Sequence, residues 1–356
     1  MTESTSFLLS APSGTVRGTG VAARYDSVGV ARAALADGAP AVVGLLAFDT
    51  GGPSALLTPR ALTVKGVPLT GRAIAPSTSS EKGRTTPPEV HRARVVAALN
   101  AIAAGRVEKV VLARSMELTY DDPLDPESLA ASFAAGAGAA TVFAARGPGE
   151  RWLIGASPEL LVRKQGSIVT CHPYAGSAAR SADPARDAAA AAALQSSDKD
   201  LREHAFVVND LRERLAPLCR ELSAPAAPIL RSTGEMWHLA TPIRGTLHDN
   251  SVTALDLAAR LSPTPAVCGT PRAAAAELIA ELEGPREFYG GAVGWCDARG
   301  DGQWLVSIRC LELGEDHRSM TTWAGGGIVA GSDPDAEVDE TDAKFRTVRR
   351  ALGLSD

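Results

Sequence analysis

No apolar run in the chain is longer than residues 41–48, and that brevity limits what it can fold into. A membrane-spanning helix needs about 18 such residues, so no span is expected. Short apolar and β-branched runs recur instead at 7–10, 109–114, 152–155, 160–163, 167–170, 291–295, 303–309 and 320–323, and read as strands. Helical stretches fall between them. Val95, Leu99 and Ile102 share one face ahead of Gly105, the alanines of 188–193 favour a helix by propensity, and longer helices are expected over 198–218 and 334–352. Gln165 and Gly166 suit a turn between two of the strands. The interleaving lacks the regular spacing of a doubly wound sheet or an α/β barrel, and there is no internal repeat. We read a single α/β domain over 1–356 with large mixed sheets, in which 89–356 carries the motifs and 1–88 is less diagnostic. The polar stretch 76–88, closed by a double proline, reads as a linker.

Charge and composition exclude several partners. The 36 basic and 41 acidic residues leave a net charge of −5, with no pull toward nucleic acid or an anionic membrane. At 4% aromatic, the chain has little with which to stack on single-stranded nucleic acid. Its N-terminal residues lack the basic and apolar regions of a secretory signal. Cys171, Cys219, Cys268, Cys296 and Cys310 are an odd set without a C-x-x-C pair, which argues against a disulfide scaffold or a cysteine zinc site and suits a reducing cytoplasm. Gly18 and Gly20 loosely match a dinucleotide fingerprint but lack its βαβ frame, and no Walker A loop, H-E-x-x-H or G-x-S-x-G is present. His91, His248 and His317 lie in polar contexts and are expected in solvent, while His172 is left open.

Two helices carry carboxylates on a single face: Asp200, Glu203 and His204 in the first, Glu337, Glu340 and Lys344 in the last. Spacing alone allows two solvated faces, the second with a Glu340–Lys344 pair, or two helices facing across a cleft. In the second case four carboxylates would hold a hard divalent cation through oxygen, and Mg²⁺ suits that donor set best. The run AGGGIV at 324–329 favours the cleft, because three glycines strip away side chains and can offer backbone N–H groups to an anion.

Further motifs follow in order: KVVLAR at 109–114, GASPE at 155–159, PYAGS at 173–177, WHLAT at 237–241, PTPAVCG at 263–269, GGAVGWCD at 290–297, Ile308-Arg309 and EVDE at 337–340. Together with AGGG at 324–327 they resemble the chorismate-utilising enzymes, a family that includes anthranilate, aminodeoxychorismate, salicylate and isochorismate synthases. The resemblance runs from about Lys109 to Leu352 and is nearest to isochorismate synthases of the siderophore type. It implies one large α/β domain, two packed mixed or antiparallel sheets flanked by helices, with chorismate and Mg²⁺ in the cleft. By match to the family's motifs, Glu203 and Glu340 resemble direct magnesium ligands, and Asp200 and Glu337 carboxylates that act through water. Arg309 and Lys344 resemble the cationic partners of the substrate carboxylates, with backbone at Gly176, Ser177 and Gly325 adding hydrogen bonds. His238 resembles the histidine lining the ring site, and Ala266 part of its wall.

Lys109 resembles the general base and Glu159 the general acid. The chemistry needs both, because water must be activated at C2 of the ring while hydroxide leaves C4. From reference pKa values of about 10.4 and 4.3, each must shift by roughly 2–4 units, downward for the lysine and upward for the acid. Apolar neighbours in sequence favour both shifts by desolvation. Ala175 stands where some aminodeoxychorismate synthases place a nucleophilic lysine, and Lys109 where the ammonia-using members tend to have glutamine, so water is the expected nucleophile. No glutamine amidotransferase subunit is then required, and a cytoplasmic monomer is expected. Three positions depart from the pattern: Ser262 replaces a histidine, and Tyr289 and Trp323 replace phenylalanines. Salicylate synthase, which goes on to eliminate pyruvate, is the alternative; a dead, regulatory chorismate-binding protein would have lost one of Lys109, Glu159, Glu203 or Glu340, and none is lost.

Overall fold

The computed structural model describes residues 3–72 and 82–354. Its strands form a ten-stranded sheet, a nine-stranded sheet and a small three-stranded one, and every strand pairing among the described residues is antiparallel. The expectation of mixed sheets is corrected in that respect. Antiparallel pairing explains the irregular helix spacing, since hairpin neighbours need no crossover helix between them. The two large sheets pack face to face. Phe7, Leu9 and Phe143 from the first meet Val43, Leu45, Val293 and Leu305 from the second in a layer closed to solvent. Helices cover the outer faces: Pro126–Gly136 and Pro334–Ala351 on the first sheet, Asp198–Leu215 and Ala254–Leu261 on the second.

The first 65 residues are woven into both sheets. Thr5–Ala11 pairs with Thr141–Arg146, and Ala41–Leu46 pairs with Ala292–Asp297. The stretch read as a linker ends in a strand, Lys82–Thr85, which pairs with Lys109–Thr119; residues 76–81 lie outside the described residues. His91 also departs from expectation. It is fully buried in the Pro88–Ala103 helix beside Arg94 and Arg114, and burial first, then those two charges, pushes its pKa down to about 4.

Both carboxylate-bearing helices begin where their sequences say they should. Ser197 caps the Asp198–Leu215 helix by accepting from the Asp200 N–H at 3.2 Å. Asp333 caps the Pro334–Ala351 helix, with Pro334 in its first turn and Asp335 and Glu337 there to meet the positive end of the helix dipole. Glu203 falls on the same stripe as Val207, Leu211 and Leu215, so packing that stripe against the sheet carries the carboxylate inward with it.

Candidate active site

The expected residues converge at the small Tyr174–Ala179, Ile229–Ser232 and Met236–Ala240 sheet and the adjoining Ser319–Val329 strand. Glu159, Gly176, Ser177, Glu203, His238, Ala266, Arg309, Gly325, Glu340 and Lys344 all line one pocket. Its free space is only about 70 Å³, and a larger cavity of about 810 Å³ lies elsewhere, but titratable groups crowd the small one. Lys109 and Glu337 are buried behind its walls, and the half-buried Asp200 does not line it.

Glu159 follows the Trp152–Ser157 strand and is 2% exposed. Burial raises its carboxyl to about 8, against the smaller opposing effects of a Tyr174 backbone hydrogen bond and the Lys109, Lys344 and Arg309 charges. Lys109 is fully buried, with Nζ 3.1 Å from Glu203 Oε1. Arg309 reaches the pocket from a residue with φ of 52°, in the left-handed region, where the chain bends between two strands. Burial lowers it to about 10, and one of its nitrogens donates to Thr347 Oγ1 at 3.3 Å. His238 is held neutral, its pKa well below the ordinary value through burial and then the Arg309 and Lys344 charges, and its Nε2 has no protein partner.

Each metal-set glutamate faces a lysine. Glu203 meets Lys109, Glu337 Oε1 accepts from Lys199 at 2.9 Å, and Glu340 Oε1 accepts from Lys344 at 2.5 Å and from Ser177 at 2.7 Å. Burial alone would raise Glu340; Lys344 and Ser177 outweigh it and hold the carboxyl below its usual range. Glu337 is raised instead, by burial and then by the nearby Glu340 charge, and its buried Oε2 has no hydrogen-bond partner. Asp200 packs against Gly176. Among the described residues no three metal-binding side chains are gathered closely enough to enclose one ion. The donor set nevertheless fits a hard cation: all-oxygen, mutually repelling, buried at Glu203 and Glu337 and half-buried at Asp200 and Glu340, with one orphaned oxygen at Glu337.

The three glycines act differently from the expected anion nest. Gly325, Gly326 and Gly327 sit inside the Ser319–Val329 strand, paired in regular register with Ala113, Leu112 and Val111. What they provide is room. A Cβ on Gly327 would lie 2.0 Å from Glu203 Oε1, and one on Gly326 2.6 Å from Glu337 Oε2. Because a carboxylate tip can swing aside, Gly327→Ala is expected to fold with little change in melting temperature yet lose about tenfold or more in turnover, through misplacement of Glu203. Thermal melting and steady-state kinetics on the same preparation check this.

Several residues of the site were not singled out by sequence reasoning. Tyr174 lines the pocket with its ring 5.5 Å from that of His238, and Lys199 anchors Glu337 from the helix opposite. His204, read from the sequence on one face with Asp200 and Glu203, instead bridges Ala175 O at 3.1 Å and Thr241 Oγ1 at 2.7 Å, pinning the small sheet to the Asp198–Leu215 helix. Tyr174 and Thr241 fall inside quoted motifs; Lys199 carries no signal beyond standing next to Asp200.

Residues 68–353 match the family described as Chorismate binding enzyme. The chain is 44% identical to isochorismate synthase DhbC of Bacillus subtilis over 328 residues, 88% of this chain and 81% of that protein. It is 38% identical over 322 residues to isochorismate synthase EntC of Escherichia coli, 88% of this chain and 82% of that one. The crystal structure of DhbC from Bacillus anthracis superposes with a TM-score of 0.92 at 35% identity, covering 99% of this chain and 97% of that chain.

Proposed function

The chain belongs to the chorismate binding enzyme family, and from that premise we propose that it is an isochorismate synthase converting chorismate reversibly to isochorismate. The observation that carries the mechanism is a carboxyl raised to about 8 in a pocket it shares with Arg309 and Lys344, with the fully buried Lys109 directly behind the wall. Lys109 takes a proton from the water that adds at C2, and Glu159 gives one to the hydroxyl leaving C4, as the ring double bonds shift. Arg309 and Lys344 bind the two substrate carboxylates. The neutral His238 imidazole offers its unpartnered Nε2 beside the ring.

Glu203 and Glu340 would hold Mg²⁺ directly, with Asp200 and Glu337 acting through water. When bound, the ion supplies a positive charge at the ring carboxylate that stabilises electron density arriving in the conjugated system. Chorismate incubated with Mg²⁺ and analysed by chromatography is expected to give isochorismate, activity vanishing in EDTA and returning with added Mg²⁺. Full turnover in chelator would end the metal assignment, and an aminated product with ammonium present would end the water assignment.

Salicylate formation is the second reading, favoured by one observation: the Tyr289 hydroxyl lies at the pocket, close enough to Gly325 that a Cβ there would stand 3.1 Å from it. Ala266, Val267 and Ile308 form the rest of that wall. Elimination of pyruvate needs isochorismate held with its side chain folded over the ring, so shape and residence time decide where the reaction stops. We expect isochorismate as the main product, with only trace salicylate and pyruvate. A place in siderophore biosynthesis is consistent with the similarity to the two DhbC proteins.

A further inference from the structure

Arg286 does not line the pocket, yet it is tied to three residues that do, Val111, Val267 and Tyr289. It is 4% exposed, and its guanidinium donates to Val267 O and Val111 O, each at 2.7 Å, and to both oxygens of Glu283 at 2.8 and 2.9 Å. Glu283 in turn accepts from the Ala113 N–H at 2.5 Å. Val111 and Val267 line the pocket from two different segments, the strand that begins with Lys109 and the turn that carries Ala266. Two aromatic rings are held by the guanidinium: its carbon lies over Phe48, 4.9 Å from the ring centroid, and over Tyr289, 5.7 Å from that centroid. Tyr289 stacks in turn on Trp323, centroids 5.4 Å apart and planes within 15°. Phe48, Arg286, Tyr289 and Trp323 thus form a chain of contacts whose last two rings line the pocket. The Tyr289 N–H also donates to the Arg286 carbonyl at 3.0 Å, so the ring's own backbone is set by the residue it stacks on.

We propose that Arg286 is a positioning residue for the reaction, locking two backbone segments and the Tyr289–Trp323 stack into the surface that holds the chorismate ring. The inference rests on the proposed function above. Only a planar guanidinium can do this, since its fixed fork serves two carbonyls and a carboxylate while both faces stay free for stacking. A lysine would keep the charge beside Glu283 and lose the rest. The wall touches the ring before and during reaction alike, so loosening it removes uniform binding, which raises KM and leaves kcat largely alone.

The test is Arg286→Lys, with Phe48→Leu as a second variant. Phe48 is a core residue that also borders the cavity of about 810 Å³, and trimming it to leucine removes one aromatic contact of the guanidinium while keeping an apolar side chain in the core. Expected for Arg286→Lys is a KM for chorismate raised about tenfold, a kcat within about threefold of wild type, and an unmoved pH profile of kcat, because Glu159 is untouched. Phe48→Leu should raise KM about twofold to threefold. A folded Arg286→Lys whose KM is unchanged, or whose kcat alone falls in step with lost folded protein, overturns the proposal. Should that variant fail to fold, an unchanged KM in Phe48→Leu overturns it equally. Wild-type protein that converts no chorismate would overturn the functional reading and this proposal together; active wild type beside unmoved variants overturns this proposal alone.

Discussion

Glu159→Gln is expected to bind chorismate and to turn it over at least about a hundredfold more slowly, the usual scale for removing a general acid. Gln matches Glu in shape and keeps an acceptor for the Tyr174 backbone, but has no proton to give. Burial raises the carboxyl from 4.5 to about 8, so the acid is protonated at neutral pH and loses its proton as pH rises through about 8. The wild-type kcat/KM should therefore fall above that pH, and the residual kcat/KM of Glu159→Gln should not fall there. Rapid-quench or steady-state rates across pH 6 to 9 decide the matter; a variant retaining the same alkaline limb would move the acid assignment to another group.

Lys109→Gln is expected to lose isochorismate formation by a similar factor, about a hundredfold, for a different reason. The lysine is fully buried with its Nζ 3.1 Å from Glu203 Oε1, and Glu203 is itself only 8% exposed. Its replacement removes the base and also strands a buried carboxylate, which is destabilising until a cation compensates it. The variant should melt lower than wild type in EDTA and recover much of the difference with Mg²⁺, while remaining inactive in both. Retention of most isochorismate output would show that another group activates the water.

The helices of the site were legible because their signals are local. A capping Ser197 or Asp333, a carboxylate every third or fourth residue and an apolar stripe that includes Glu203 are all readable in one window. The pairing of Thr5–Ala11 with Thr141–Arg146 was not, since nothing in either segment names a partner more than a hundred residues away. Gly325–Gly327 misled for a subtler reason: a bend and a strand that must admit a carboxylate both ask for a missing Cβ, and sequence does not tell them apart. His91 looked solvated from its polar neighbours, whereas the helix turns it inward beside Arg114. The functional roles came from ordered motifs, and the physical account of Trp323 came only with the structure, which stacks it on Tyr289.

In the proposed reaction water adds at C2 of chorismate, and the reaction stops there. Turnover in ¹⁸O-labelled water with Mg²⁺ and ammonium present, followed by mass spectrometry and a coupled assay for pyruvate, tests both halves together. The expected product is isochorismate carrying ¹⁸O in its C2 hydroxyl, with no aminated product and pyruvate at trace level. Unlabelled isochorismate, an amino-substituted ring, or pyruvate released in proportion to the chorismate consumed would contradict it.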